Sequence, residues 1–278
     1  AVTKAQTSKG NTLTANLRVD RDSGTISGQG RFPTPPQELA VFLPPGKVRK
    51  HYKRIWKHFE WAEDSPPIFQ LRKGQIKNAF SKETKLRFDL EVSAEEFRYR
   101  GIPLKDGSGD VTGRLPGEIS FQNFHAEHED KPVNGDFIFY TKKMPGVKVH
   151  CKGTMDPLTV SSAFTDTEKQ KRNRYQFADA TKLEVHGFIP FPENASPRLY
   201  GRMQTPQFTA FDFPFKTVNA SWHLRDNLLN IRYFTGKLAE GKVNFTGDYD
   251  LMTHTSELDV KFNGVQLKSV VRPHETWN

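Results

Sequence analysis

A chain of 278 residues with a formal charge of +9 and a pI near 9.5 is long enough to bury a sizeable core, as one extended β domain or two ordinary ones. The charge suits an anionic partner: nucleic acid, an anionic membrane surface or an acidic polymer. A single cysteine, Cys151, excludes an internal disulfide framework and a multi-thiolate metal site.

The first residues, AVTKAQTSKGNT, have neither the charged nor the apolar region of a signal peptide, and no apolar run of about 18 residues predicts a membrane-spanning helix. Without an initial methionine the chain reads as a mature form or an excised piece whose targeting segment is missing. Leu13, Ala15, Leu17 and Val19 then alternate with polar residues, which predicts a half-buried strand ending at the turn RDSG. TPPQELAVFLPPG follows, Pro-started and helix-permissive. It leads into KVRKHYKRIWKHFEW from Lys47. Taken as a helix, this segment aligns Val48, Tyr52, Ile55, Trp56 and Phe59 in one apolar stripe, with Arg49, Lys50, Lys53, Arg54 and Lys57 around it.

Period-2 alternation then dominates, at Phe137 and Phe139, at Val147, Val149 and Cys151, at Leu229, Ile231 and Tyr233, at Val243 and Phe245, and at Leu258, Val260 and Phe262. Cys151 is expected to be an inert core thiol. Gly, Asn, Asp and Pro interrupt the strands at KDGSG, MPG and RDN, as meandering hairpins require. A second Pro-started insert, DPLTVSSAFTDTEKQKRNRYQFADA, follows KGTM.

Self-comparison shows a repeat. FRYRGIPL from Phe97 matches FTAFDFPF from Phe208 at a spacing of 111, aligning Pro103 with Pro214. The match extends downstream, with Gly135 opposite Gly247, and upstream, with Gly74 opposite Gly187. A partial third copy, TLTANLRVDRDSGTISGQGRF, resembles GDYDLMTHTSELDVKFNGV. The predicted fold is mainly β: an elongated, curved antiparallel sheet of repeated meanders with short helical inserts. Its segments are a partial first unit (1–46), the basic helix with a central unit (47–152), and a helical insert with a C-terminal unit (153–278).

Three readings of the basic segment follow from its composition. Its stripe can pack on the sheet with the charges as a solvated face; it can lie on an anionic membrane through Arg49, Lys50, Lys53, Arg54, Trp56 and Lys57; or it can stack and neutralise nucleic acid. No zinc-finger, RNP-type or helix-turn-helix pattern supports the third, so nucleic acid is not an expected partner.

No nucleophile elbow, P-loop, HExxH or dinucleotide pattern is present, and no cofactor is implied. The tightest titratable cluster, HAEHED, places His125 and His128 on opposite faces of a strand, which is poor metal geometry. Asp248 and Asp250 share a face of a strand, as a pair of carboxylates flanking a sugar would, but acidic residues are common throughout the chain. The chain is expected not to be an enzyme.

GKLAEGKVNFTGDYDLMTHTSELDVKFNGVQLKSVV resembles the closing motif of the AsmA-like proteins of diderm bacteria. Gly236, Leu238, Gly241, Val243, Gly247, Tyr249 and Asp250 match its first part, and Leu258, Val260, Gly264, Val265 and Leu267 its exit. GTMDPLTVSSAF is similar to that family's passage from strand to short helix. The resemblance implies an N-terminal membrane anchor, which is expected to lie outside this sequence, and the basic segment at Lys47 is not carried over from the family.

The resemblance implies a periplasmic or cell-envelope protein, grouped with TamB-type and bridge-like lipid transfer proteins, whose curled sheet conducts phospholipid along an apolar groove. Phe137, Phe139, Val147, Val149, Leu229, Ile231, Tyr233, Val243, Phe245, Leu258, Val260 and Phe262 are the candidate groove lining. Phospholipid or a membrane surface, and another envelope protein, are the expected partners. The alternative is a secreted β-sandwich that recognises glycan or a host protein, in which two apolar faces close on each other.

Overall fold

The computed structural model describes residues 2–6, 12–40, 47–78, 83–142, 144–159, 175–178, 181–191, 195–210, 212–253 and 255–266. It is mainly β, with 72% strand and 6% helix. The chain divides into two compact units, Ala1–His150 with Pro190–Pro192, and Cys151–Ile189 with Glu193–Asn278.

The first unit opens with antiparallel strands β1 (Val2–Gln6), β2 (Thr12–Asp20) and β3 (Thr25–Pro33), followed by helices α1 (Pro36–Leu39) and α2 (Lys47–Trp56). Two short strands, β4 (Phe59–Trp61) and β5 (Ile68–Lys77), then share one long partner, β6 (Lys85–Tyr99). β5 pairs with its first part, from Lys77 opposite Lys85 to Ile68 opposite Ser93, and β4 with its last three residues. Hairpins β7 (Ile102–Leu115), β8 (Glu118–His128) and β9 (Lys131–Tyr140) follow, then β10 (Gly146–Thr154), which runs across the division at His150 into the second unit.

The second unit repeats the arrangement. β11 (Tyr175–Phe177) and β12 (Lys182–Pro190) divide β13 (Arg198–Ala210) between them, and β14 (Phe213–Arg225), β15 (Leu228–Leu238), β16 (Gly241–Asp250) and β17 (Ser256–Asn263) continue the meander. Each unit is an antiparallel meander, and among the described residues no second sheet faces it within the unit.

Register confirms most of the internal match. Pro103 faces Arg98 as Pro214 faces Thr209, both pairs at a spacing of 111, and Gly74 faces Phe88 as Gly187 faces Leu199, the glycines 113 apart and their partners 111. The alignment of Gly135 with Gly247 fails. Gly135 faces Phe124 just past a bulge after Phe121, whereas Gly247 faces Ile231 just before the matching bulge, so Gly135 corresponds to Phe245. A shorter turn takes the offset between the copies from 111 to 110, whereas matching Gly135 to Gly247 needs 112. Arg114 and Glu118 close a three-residue loop, while Arg225 and Leu228 close a two-residue one in which Asp226 and Asn227 both take positive φ, as a type I′ hairpin requires.

The partial third copy is real at its turn. Asp20 Oδ1 accepts from the amides of Asp22 and Ser23 at 3.1 and 3.3 Å, and Asp250 Oδ1 accepts from those of Met252 and Thr253 at 2.7 and 3.0 Å.

Alternation puts apolar side chains on one face, called inner here, and Lys, Arg, Asp and Glu on the outer. Large inner side chains lie over glycines of the next strand: Phe88 over Gly113, Phe97 over Gly107, and Trp222 over Gly201. A Cβ on Gly201 would enter the Trp222 indole. Gly201→Ala is therefore expected to lower stability by about 1–3 kcal/mol in urea denaturation. Gly236→Ala, whose new Cβ meets Val218 Cγ2 at 3.2 Å, costs less.

Candidate functional site

The inner face differs between the units. In the first it carries Phe69, Val111, Leu115, Ile119 and Phe121, all buried, and α2 lies on it through Trp56. That indole meets Phe69 and Phe121 with ring centroids 5.6 and 5.5 Å away, and Phe59 and Trp61 at 5.3 and 6.2 Å. Gln37 of α1 holds the helix end in place. Its Nε2 donates to the Trp56 and Phe59 carbonyls at 2.7 and 3.0 Å, and its Oε1 accepts from Trp61 Nε1 at 3.0 Å.

Of the groove candidates in this unit, Phe139, Val147 and Val149 are buried and Phe137 is half-buried. The apolar groove implied by the resemblance is not open at this place, because the protein's own helix occupies the inner face through Trp56.

In the second unit Phe208, Val218, Ala220 and Phe234 form a buried cluster, with Phe177, Met203, Phe215, Ile231 and Phe245 packed against it. Phe234 stacks on Phe245 at 4.2 Å and meets Phe215 at 5.4 Å. Val243 is buried, and Leu229, Ile231 and Phe245 are half-buried.

Tyr233 is a correction. The bulge between Ile231 and Phe234 turns it to the outer face opposite Ser221, and Phe234 takes the inner position. The in-phase run Phe234, Gly236, Leu238 was the available signal. Leu258, Val260 and Phe262 extend the inner face onto β17, where they are 49%, 39% and 54% exposed. Leu17 and Val19 on β2 are likewise exposed inner residues, outside the candidate set.

The basic segment forms α2, and Trp56 is also a correction. Expected at an anionic surface, it is 3% exposed in the aromatic core, and among the described residues its Nε1 has no hydrogen-bond partner. Tyr52 is half-buried, and burial pushes its hydroxyl above the ordinary phenol range. Lys50, Lys53 and Lys57 are exposed and Arg49 is half-buried; the Arg54 side chain lies outside the described residues. His58 follows the helix beside Arg100, whose Nη2 is 3.5 Å from its Nε2. Burial, with Arg100 and Lys57, depresses His58 to about 4.

The titratable clusters have structural partners. His125 Nδ1 lies 2.9 Å from Asn134 Oδ1, while His128 is buried on the inner face and its Nδ1–H donates to the Pro103 carbonyl at 2.9 Å. Asp248 accepts from Asn230 Nδ2 at 2.7 Å, and Asp250 caps its turn. Arg72 bridges Asp110, Glu91 and Asp89 at 2.8, 3.1 and 3.6 Å, and the Asn123 amide together with Arg72 holds the Asp110 carboxyl below its ordinary value. An outer cleft of about 410 Å³ is lined by Lys73, Arg87 and Arg114 with Asp89 and Glu118. Cys151 is half-buried.

No family model, curated protein or solved structure matches the chain. Among the described residues no helix is long and apolar enough to cross a membrane, and no three His, Cys, Asp or Glu side chains are grouped to hold a metal ion.

Trp56→Ala is expected to cost about 3–5 kcal/mol by leaving a cavity against Phe69 and Phe121, whereas Lys50→Ala and Lys53→Ala stay within about 0.5 kcal/mol, measured by denaturant midpoint. The folded His58 takes its proton only near pH 4, while the unfolded one does so near its ordinary value of 6.5. The unfolded state thus binds more protons in that window, and stability falls as pH drops from 6.5 toward 4. His58→Gln flattens this part of the pH–stability curve relative to the parent.

Proposed function

We propose that the chain is a non-enzymatic, AsmA-like lipid-binding protein of a bacterial cell envelope, holding phospholipid acyl chains on the inner face of its second unit. The observation that carries this reading is the run of apolar side chains from Phe208 through Phe234 and Phe245 to Leu258, Val260 and Phe262, buried at its start and open to solvent at its end. Such a patch exceeds isolated surface apolars and suits an apolar ligand. Acyl chains laid there recover about 0.8 kcal/mol per buried CH₂, enough to hold a lipid with no catalytic group.

Lys50, Lys53 and Lys57 supply positive charge for anionic head groups or for an envelope partner, each contributing about 1 kcal/mol near an anionic surface. In the first unit, where Trp56 fills the inner face, this reading places no lipid beside α2.

Native mass spectrometry of the protein mixed with phospholipid vesicles is expected to give lipid-bound masses, with fluorescent phospholipid taken up in solution. Leu258→Glu/Phe262→Glu lowers the bound fraction about fivefold or more, since a carboxylate in an apolar site is strongly penalised. A lipid-free mass under gentle conditions, with no uptake, rejects the reading.

A further inference from the structure

We infer that β17 is a self-pairing edge through which two copies of this chain join about a two-fold axis at Val260. β17 pairs with β16 on one side, and among the described residues no strand is in register along the other. All eight of its residues are exposed. Its backbone N–H and C=O groups on that side form an open template, which proteins ordinarily block with charge, a bulge or a covering element. β17 has no bulge against β16, and its charges are arranged to select a partner.

The sequence Ser256–Asn263 reads SELDVKFN, with Leu258, Val260 and Phe262 on the inner face and Glu257, Asp259 and Lys261 on the outer. Antiparallel pairing centred on Val260 sets Leu258 against Phe262 of the second copy and Asp259 against its Lys261. The two-fold repeats both contacts, giving two ion pairs and no like-charge pair. Sliding by one residue brings charged residues against apolar ones, because each slip changes the face. Recentring on Asp259 opposes two aspartates, and recentring on Lys261 opposes two lysines. The Val260 register alone among these satisfies both faces.

Within the chain Asp259 and Lys261 are 65% and 79% exposed and meet only loosely, at 3.6 Å, so both are available to a second copy. Pairing of this kind uses the strand edge and leaves the inner face open.

Sedimentation velocity on lipid-free protein tests the inference. The parent is expected to show a concentration-dependent monomer–dimer equilibrium. Asp259→Lys and Lys261→Asp each raise the dissociation constant about tenfold or more, and the double variant Asp259→Lys/Lys261→Asp returns it to within about threefold of the parent. Circular dichroism checks that each variant keeps its strand content.

In a Cys151→Ser background, Val260→Cys forms a disulfide-linked dimer on mild oxidation. Directly opposed antiparallel residues lie about 4.5–5.5 Å apart at Cα, within disulfide range. Met252→Cys, an exposed site off the strand, does not. A parent that stays monomeric to about 100 µM overturns the proposal, and so does a dimer that neither single charge reversal weakens.

Discussion

A meander with one apolar face must cover much of that face from within its own layer, and the pairing of bulky side chains with glycines does this. Phe88 lies over Gly113, Phe97 over Gly107 and Trp222 over Gly201, so each ring occupies the space its neighbour leaves empty. A sheet with a second layer could bury those rings against a facing strand. Here they lie over glycines of their own sheet, and the added cover is local: Trp56 in the first unit, and the Phe208–Phe234–Phe245 stack in the second. Where the cover stops, at β17 and along part of β2, apolar side chains meet solvent. The proposed site is this residue of an incomplete core.

Charge is divided in a matching way. On the outer face of the first unit Arg72 draws Asp89, Glu91 and Asp110 together, while Lys73, Arg87 and Arg114 line a cleft beside them. These exposed pairs contribute little to stability individually. They keep the outer face wet, which fixes which side of the sheet is apolar. α2 buries Trp56 on the sheet while Lys50, Lys53 and Lys57 stay exposed, so its stripe and its charges have different surroundings: the sheet for one, solvent for the other.

Strand character and the repeat were legible because both rest on local signals: period-2 alternation, Pro103 and Pro214 at matching positions, and the Asp-led turns at Asp20 and Asp250. Tyr233 is misplaced when alternation is counted onward from Leu229 and Ile231; counted back from Leu238 through Gly236, it puts Phe234 on the inner face and reveals the skipped residue. Gly135 was misaligned because glycines attract glycines in a comparison, while the actual offset had changed in a hairpin three residues long in one copy and two in the other.

Trp56 was ambiguous for a different reason. A stripe of Tyr52 and Trp56 among lysines fits a bilayer interface and a sheet equally well, and the deciding partners, Phe69 and Phe121, are distant in sequence. The glycines behind the AsmA-like resemblance have the same limitation, since Gly241 and Gly247 sit where backbone or Leu258 leaves no room for a Cβ. Packed hairpins of any ancestry ask for glycine there.

The paired bulges, after Phe121 and after Ile231, constrain how such a chain can change its length. Losing one residue from a strand would exchange its oily and wet sides from that point to the next turn, and losing two would not. Heritable insertions and deletions within the strands should therefore come in even numbers, with a lone odd residue surviving only as a kink of the kind already built in.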